Sequence, residues 1–550
     1  MHKNNYVKGI TRKLLGKLQK KTMRHNLISI LFCVSLAAMF SCQPDMPKSK
    51  HSAQKISLEE ITIRELQQGY KDGKFTIEEV VKQYMDRIVE IDQNGPQLNS
   101  IIVVNPDALE IAAALDKELA AGKSRGPLHG IPVILKDNID THDKMATTAG
   151  STALKNSFPE NDSWVARKLR EAGAVIIGKS NLSEWANFRS KISSSGWSGV
   201  GGQTRNPYIL DRNPCGSSSG SGVAVSANLC TLAIGTETNG SIVCPSNNNG
   251  IVGLKPTVGL ISRSGIIPIS FTQDTPGPMG RTVTDIAICL GSLTGIDPAD
   301  SKTLASAGNF KTDYTQFLKP DGLKGKRIGL LKESLGFHPK VDVLVDQTIT
   351  WLKGQGAEVI ELSELLDEKV ESASFEVMLY EFKDGLNRYF QSLGGNAGIK
   401  SLAELITFNE SDTVELRYFD QKLLEQAEAK SSLDAPEYKA ALAEMLKGTR
   451  ENGIDKLMNA NKLDAIMAPT GTPAWKTDLI NGDLYIGGTS SPAAISGYPA
   501  ITVPMGFIDE LPVGVSFYGR AWSEPVLLEI AYAFEQGTKC RKSPKFLVRP

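Results

Sequence analysis

Gly130-Ile131-Pro132-Val133-Ile134-Leu135-Lys136-Asp137-Asn138 is an apolar run that stops abruptly at a lysine. An unbroken run of this kind reads as a strand covered on both faces. The next one, Ala174-Val175-Ile176-Ile177, arrives after a helical stretch over 164–171. Strand, helix and strand in that rhythm predict an α/β fold, a single large domain whose mixed, mostly parallel central sheet is covered by helices on both faces. Strand character returns at 464–468 and 500–504, so the sheet draws on most of the chain. A lysine closing a buried strand loses hydration, which disfavours the ammonium and moves its pKa from about 10.4 toward neutrality. A neutral lysine can serve as a base.

Working outward, two segments add hydroxyls. Cys215-Gly216-Ser217-Ser218-Ser219-Gly220-Ser221-Gly222 closes a glycine- and serine-rich tract over 193–222, and Gly235-Thr236-Glu237-Thr238-Asn239-Gly240-Ser241-Ile242 follows it. A tract this long and this poor in charge reads as a functional segment rather than a linker. Its glycines allow close approach and turns forbidden to other residues, so main-chain N–H groups can point at a developing oxyanion. A buried base, serines and such donors make up the equipment of Ser/Lys acyl transfer. Asp137 follows the lysine, but neighbouring side chains on a strand point to opposite faces, so it does not hold the amine charged. Gly253-Leu254-Lys255-Pro256-Thr257 and Asp274-Thr275-Pro276-Gly277-Pro278-Met279 read as tight turns that continue the tract.

Two other motifs compete and fail. Gly173-Ala174-Val175-Ile176-Ile177-Gly178-Lys179-Ser180 satisfies the phosphate-loop expression G-x-x-x-x-G-K-S. Its four intervening residues are the strand itself, however, rather than pliable backbone after one. Gly216-Ser217-Ser218-Ser219-Gly220 matches a nucleophile elbow centred on Ser218, which requires a later histidine. The only one is His338, in the surface turn Gly336-Phe337-His338-Pro339. His129 and His142, close to Lys136 in sequence, read as structural.

The 550 residues, 41% of them hydrophobic, can bury a large core. The 61 basic residues balance the 61 acidic ones, which argues against a nucleic-acid partner. Cys215, Cys230, Cys244, Cys289 and Cys540 are scattered, with no C-x-x-C pair. They read as small buried hydrophobes, with neither a disulfide framework nor a metal site expected.

Lysine-rich residues up to Arg24 precede the apolar run 27–40, which is short for a bilayer span but suits a signal-peptide core, whether translation starts at Met1 or Met23. Residues 1–41 are therefore expected to be a lipoprotein-type signal peptide, since Ser41-Cys42 after such a run resembles a bacterial lipobox. Cys42 would carry the lipid, residues 42–56 would tether the folded body, and the protein would sit in the cell envelope facing the periplasm, touching membrane only through that anchor. The folded body covers 57–550. Ser57 with Glu60 and Thr76 with Glu79 form capping-box patterns opening two helices that end near Gly69 and Asp92. A third helix is expected over 106–121, and 341–462 is helical and charged, an elaboration packed on the sheet.

The segments quoted above resemble the amidase signature family, and the likeness runs from Leu58 to the C-terminus with its signature core over 125–290. Within that family the longest shared strings, 235–245, 253–263 and 265–279, are most similar to those of bacterial peptide amidases, as are Tyr380-Glu381-Phe382-Lys383 and Ala521-Trp522-Ser523-Glu524-Pro525. The resemblance implies a Ser-cisSer-Lys triad of Ser241 as nucleophile, Ser217 as relay and Lys136 as base, with a cis peptide between Gly216 and Ser217. It places the oxyanion hole on the N–H groups of Thr238, Asn239, Gly240 and Ser241, where many members have glycine at position 239; asparagine tolerates left-handed backbone there. Ser218 is expected to support the tract through side-chain to backbone bonds, and Thr147-Thr148-Ala149-Gly150-Ser151 resembles the family's loop beside the active site. The implied activity is hydrolysis of linear carboxamides to acid and ammonia, the C-terminal amide of peptides among them, with no cofactor and no obligatory protein partner. A broader acylamide or lactam hydrolase, the ammonia-producing component of a tRNA-dependent amidotransferase, and a non-catalytic envelope lipoprotein keeping the fold are the alternatives.

Overall fold

A computed structural model describes residues 56–548, apart from 363–364, 366–367 and 395–397. The expected signal peptide, Cys42 and nearly all of the tether lie outside the described residues. From Ile56 onward the chain forms one compact unit.

The strands in chain order are β1 (Ile101–Val104), β2 (Pro132–Lys136), β3 (Val175–Ser180), β4 (Trp197–Ser198), β5 (Gly202–Gln203), β6 (Leu232–Glu237), β7 (Val252–Lys255), β8 (Thr275–Gly280), β9 (Arg327–Leu331), β10 (Glu358–Leu362), β11 (Ala465–Pro469), β12 (Ala500–Ile508) and β13 (Leu511–Tyr518). β4 and β5 pair with each other, and the other eleven form one sheet in the order β1-β3-β2-β6-β8-β7-β12-β13-β11-β9-β10. Every residue of β2, β3, β6, β7, β8 and β11 is buried. Both faces are therefore covered, which is why β2, β3 and β11 read as continuous apolar runs rather than alternations. The expected mixed α/β sheet is present, with its parallel pairs gathered in two flanking blocks, β3-β2-β6 and β11-β9-β10. The pairs between those blocks are antiparallel, and β12 turns into β13 across residues 509–510, a connection only antiparallel strands allow.

β7 and β8 correct the reading of their sequences as turns. Pro276 and Pro278 lie in the middle of the sheet, but β8 pairs with β7 only at Met279 and Gly280. The prolines thus stand where the ladder to β7 has ended, and no neighbour on that side needs their missing N–H. Gly277 allows the close approach, since a Cβ there would lie 2.1 Å from the Leu254 carbonyl oxygen.

Thr76 and Glu79 cap the helix Ile77–Arg87 reciprocally, as expected. The first helix, however, starts at Ile63 under the pair Thr62 and Glu65 rather than Ser57 and Glu60. Glu60 instead forms an ion pair with Arg541 at 2.7 Å. The third helix, Ala108–Ala120, packs near β3. The helices Ser219–Ser226, Val283–Leu293, Pro339–Gly354 and Glu524–Thr538 cover the sheet. The elaboration is helical over Pro339–Gly354, Glu368–Ser392, Leu402–Ser411, Lys422–Glu428, Pro436–Thr449 and Asp455–Asn461, but it also contributes the outer strand β10.

Candidate active site

Strand β2 delivers Lys136 into the protein with none of its surface exposed. Its ammonium nitrogen, Nζ, lies 2.7 Å from Ser217 Oγ, 2.9 Å from Thr236 Oγ1 and 3.2 Å from the Thr236 carbonyl oxygen. No carboxylate lies within ion-pair distance of it among the described residues. Burial therefore lowers its pKa from 10.5 to about 7, with Asp274 and Glu237 opposing from farther off. A displacement of that size disfavours the ammonium by about 5 kcal/mol. In the neutral amine two N–H bonds reach the two Thr236 oxygens, and the lone pair is left facing the Ser217 hydroxyl. Asn138 Nδ2 donates to Thr236 Oγ1 at 3.0 Å and fixes that acceptor.

Asp137 faces away, as strand alternation requires. Thr148 donates to it through both its hydroxyl and its N–H, which gives the 147–151 loop a structural task, and Lys179 Nζ lies 4.0 Å from it. Burial pushes Asp137 up to about 6. Among the described residues, the other two fully buried lysines, Lys179 and Lys255, hydrogen-bond to no serine. Lys179 donates to Ala146 O and Thr147 Oγ1 from within β3, which disposes of the phosphate-loop reading. Lys255 donates to the carbonyls of Pro256 and Tyr498.

The peptide between Gly216 and Ser217 is cis. Gly216 is required here because a Cβ would lie 2.2 Å from Ser183 Oγ. Ser218 supports the tract as expected, donating from Oγ to Thr236 O at 3.1 Å and accepting from Thr236 N at 3.2 Å. Its own N–H donates to Ser241 O at 3.1 Å, which ties the relay segment to the nucleophile segment. A second tie corrects the reading of the cysteines. Cys215 and Cys244 form a disulfide, their Cα atoms 5.9 Å apart, so the residue before Gly216 is bonded to the third residue after Ser241. Cys230 and Cys289 are the small buried hydrophobes expected, and Cys540 is half-buried. Spacing alone could not show the pairing.

Ser241 is 8% exposed, at the entrance to the helix Val243–Asn248. Its hydroxyl forms no hydrogen bond with Ser217 Oγ, so the structure joins Lys136 to Ser217 directly, and ties the Ser241 segment to them through the Ser218 N–H and the disulfide. Of the four expected oxyanion donors, Gly240 is committed elsewhere. Its N–H donates to Glu237 Oε1 at 2.8 Å, while Glu237 Oε2 accepts from Ile242 N at 2.7 Å and Val243 N at 3.0 Å. The N–H groups of Thr238, Asn239 and Ser241 have no partner among the described residues. Sequence reasoning misses Glu237, although an acid just before a helix is a capping signal. The left-handed backbone falls on Gly240 at φ +85, not on Asn239. Asn239 accepts from Ser490 Oγ at 2.7 Å and donates to Ser491 Oγ at 3.2 Å. Thr238 donates from Oγ1 to Asp274 Oδ1 at 2.5 Å.

The histidines stand apart. His129 is buried against Leu115 O and Arg125 N, His142 lies against Pro159 O, and His338 caps the helix Pro339–Gly354.

The Amidase family profile matches residues 79–528. A probable amidase of Arabidopsis thaliana is 42% identical over 504 residues, covering 90% of this chain and 93% of the relative. One component of the glutamyl-tRNA(Gln) amidotransferase of Thermoanaerobacter pseudethanolicus is 35% identical over 500 residues, covering 89% of this chain and 99% of the relative. Among solved structures, the peptide amidase PAM in complex with the competitive inhibitor chymostatin superposes with a TM-score of 0.87 at 49% identity, covering 89% of this chain and 100% of that one. The native peptide amidase of Stenotrophomonas maltophilia matches with a TM-score of 0.85 at 49% identity, covering 89% and 99%. The chain is thus an amidohydrolase acting on carbon–nitrogen bonds of linear amides, and it belongs to the amidase signature family.

Proposed function

We propose that this amidohydrolase releases ammonia from the C-terminal carboxamide of peptides through Lys136, Ser217 and Ser241. The observation carrying the reading is the 2.7 Å contact of a buried, counter-ion-free amine with Ser217 Oγ. Neutral Lys136 takes the Ser217 proton, Ser217 takes that of Ser241, and Ser241 Oγ bonds to the amide carbon. Rotation of the Ser241 side chain toward Ser217 on substrate binding closes the relay, since catalytic hydrogen bonds tighten in the bound complex. The oxyanion rests on the N–H groups of Thr238, Asn239 and Ser241. As the intermediate collapses, the carbon–nitrogen bond breaks and the nitrogen leaves as ammonia with the proton returned through Ser217, leaving Ser241 acylated. Water, deprotonated by the same relay, attacks the ester, and the acid departs. The 49% identity to a peptide amidase structure supports this substrate class.

The test incubates a C-terminally amidated dipeptide with the wild type and with Ser241→Ala. Ammonia from the wild type alone is expected; equal release from both overturns the reading. Export and acylation at Cys42 belong to the same proposal, and a disulfide beside the site is consistent with an oxidising compartment. Palmitate label on the wild type but not on Cys42→Ala is expected, and a protein unlabelled with Cys42 intact removes the anchor.

A further inference from the structure

The string Tyr380-Glu381-Phe382-Lys383 has no part in the triad, yet its acid is held in an unusual way. Glu381, on the helix Glu368–Ser392, has none of its surface exposed. It accepts from Ser270 Oγ, from Thr272 Oγ1, from Thr272 N at 3.0 Å and from Tyr438 Oη at 2.8 Å. Among the described residues no cation lies within ion-pair distance of it, so these four donors alone satisfy a carboxylate that would be costly to bury without them. Their directions pin the turn at 270–272 to the helical elaboration.

The pinned turn presents Asp274 to the nucleophile loop. Asp274 Oδ2 accepts from Ile269 N at 2.8 Å and Ser270 N at 2.9 Å, and Oδ1 accepts from Thr238 Oγ1 at 2.5 Å. Gln273, with none of its surface exposed, accepts from Ser374 Oγ at 2.8 Å and donates to the Thr238 carbonyl at 3.4 Å. Thr238 is thus gripped by its hydroxyl and its carbonyl, while its N–H has no partner among the described residues. Asp274, Thr236, Thr238 and Asn138 line one cavity of about 10 Å³, which puts the carboxylate beside the acceptor of Lys136. Burial pushes the Asp274 carboxyl up to about 6, against the pull of the Thr238 hydroxyl and the two N–H groups. At neutral pH it is therefore ionised and only accepts. Glu237 fixes the second half of the loop, at Gly240, Ile242 and Val243, and does not bond to Thr238 N–H. Bonds to a carboxylate are short and directional, and an oxyanion donor works only when it is aimed beforehand.

We infer that Asp274 is a positioning residue for the oxyanion hole: it fixes the first half of the nucleophile loop through the Thr238 hydroxyl, so that the Thr238 N–H faces the developing oxyanion. This rests on the serine-relay reading above. The experiment measures kcat and KM for a C-terminally amidated dipeptide, and inhibition by the matching dipeptide aldehyde and dipeptide alcohol. Ser241 Oγ adds to the aldehyde carbon, its proton passes to the Ser217 relay, and the carbonyl electron pair becomes an oxyanion; the alcohol forms none. The wild type is expected to bind the aldehyde at least about 10²-fold more tightly than the alcohol. Asp274→Ala should lower kcat by about 10²-fold with KM within about threefold, and lose a similar factor from the aldehyde alone. Thr238→Val, which deletes the same bond from the other partner, should show the same two losses. Asp274→Asn removes the same charge but keeps an oxygen for the two N–H groups and turns its NH₂ to Thr238 Oγ1, so it should recover most of the kcat. Rates are corrected for the folded fraction from denaturant melts, so that unfolding does not count as lost alignment. An aldehyde advantage unchanged in Asp274→Ala or Thr238→Val, equal losses of aldehyde and alcohol, or an Asp274→Asn as slow as Asp274→Ala overturns the inference. A wild type that binds aldehyde and alcohol alike overturns the serine relay, and the inference with it.

Discussion

Lys136 and Arg189 are both buried cations, and they are housed in opposite ways. Lys136, at the end of β2, touches only a serine hydroxyl, a threonine hydroxyl and a carbonyl. Arg189, at the seam with the helical elaboration, bonds Glu184 and, at 3.1 Å, Glu415. There burial, reinforced by Glu415, pushes the Glu184 carboxyl well above its usual range despite the arginine beside it. Where a buried cation keeps counter-ions, it fastens architecture: Glu415 also accepts from Ser151 Oγ and Thr152 N, clamping the loop beside the site. Where counter-ions are withheld, the proton becomes mobile near neutral pH and the group can do chemistry.

The comparison can be broken most sharply at Lys136. Lys136→Met should leave the fold intact and lower kcat by about 10⁴-fold or more, measured as ammonia release. A residual rate near wild type would show that the amine is not the base. Next in size is the pH dependence. With Lys136 at about 7, the neutral base is lost as pH falls, so kcat/KM should drop about tenfold per pH unit below 7 and level off above it. Thr236→Asp supplies the missing counter-ion, and should move that limb upward by at least about one pH unit. A limb that stays in place denies the account of the niche.

Removing the disulfide with Cys215→Ser and Cys244→Ser opens a cross-link spanning 29 residues. Denaturant melts should show a loss of about 3–4 kcal/mol, with kcat falling about tenfold as the two serine segments loosen. The smallest effect on turnover belongs to the other cation. Glu415→Gln should cost about 3 kcal/mol in stability while kcat stays within about twofold, and a collapse of kcat at unchanged stability would place the seam in the chemistry.

What can be read from the chain follows the same division. The lysine at a strand end, the serines and the flanking glycines are local signals, and β2, β3 and β11 announce themselves because strands buried on both faces are apolar throughout. β7 and β8 do not, because Pro276, Gly277 and Pro278 speak locally for a turn. Only their pairing with β6, beyond the end of the β7 ladder at Met279, makes a strand of them. Glu60 has the spacing of a capping partner, but Arg541, 481 residues away, claims it. The disulfide, Arg189 with Glu415 and the hold of Ser490 on Asn239 are likewise long-range choices. Glu237 and Thr236 were within reach, since both stand in the string that carries Ser241.

The sheet is open, and open sheets can template the addition of a neighbour's strand, the route to aggregation. Its outer strands are blunted against this. β1 is four residues long, with an irregular register against β3. β10 exposes Glu358 and Glu361, held by Arg327 and Lys332. Crowded copies therefore meet at a kinked stub on one side and at fixed charges on the other, and neither end lets them zip together.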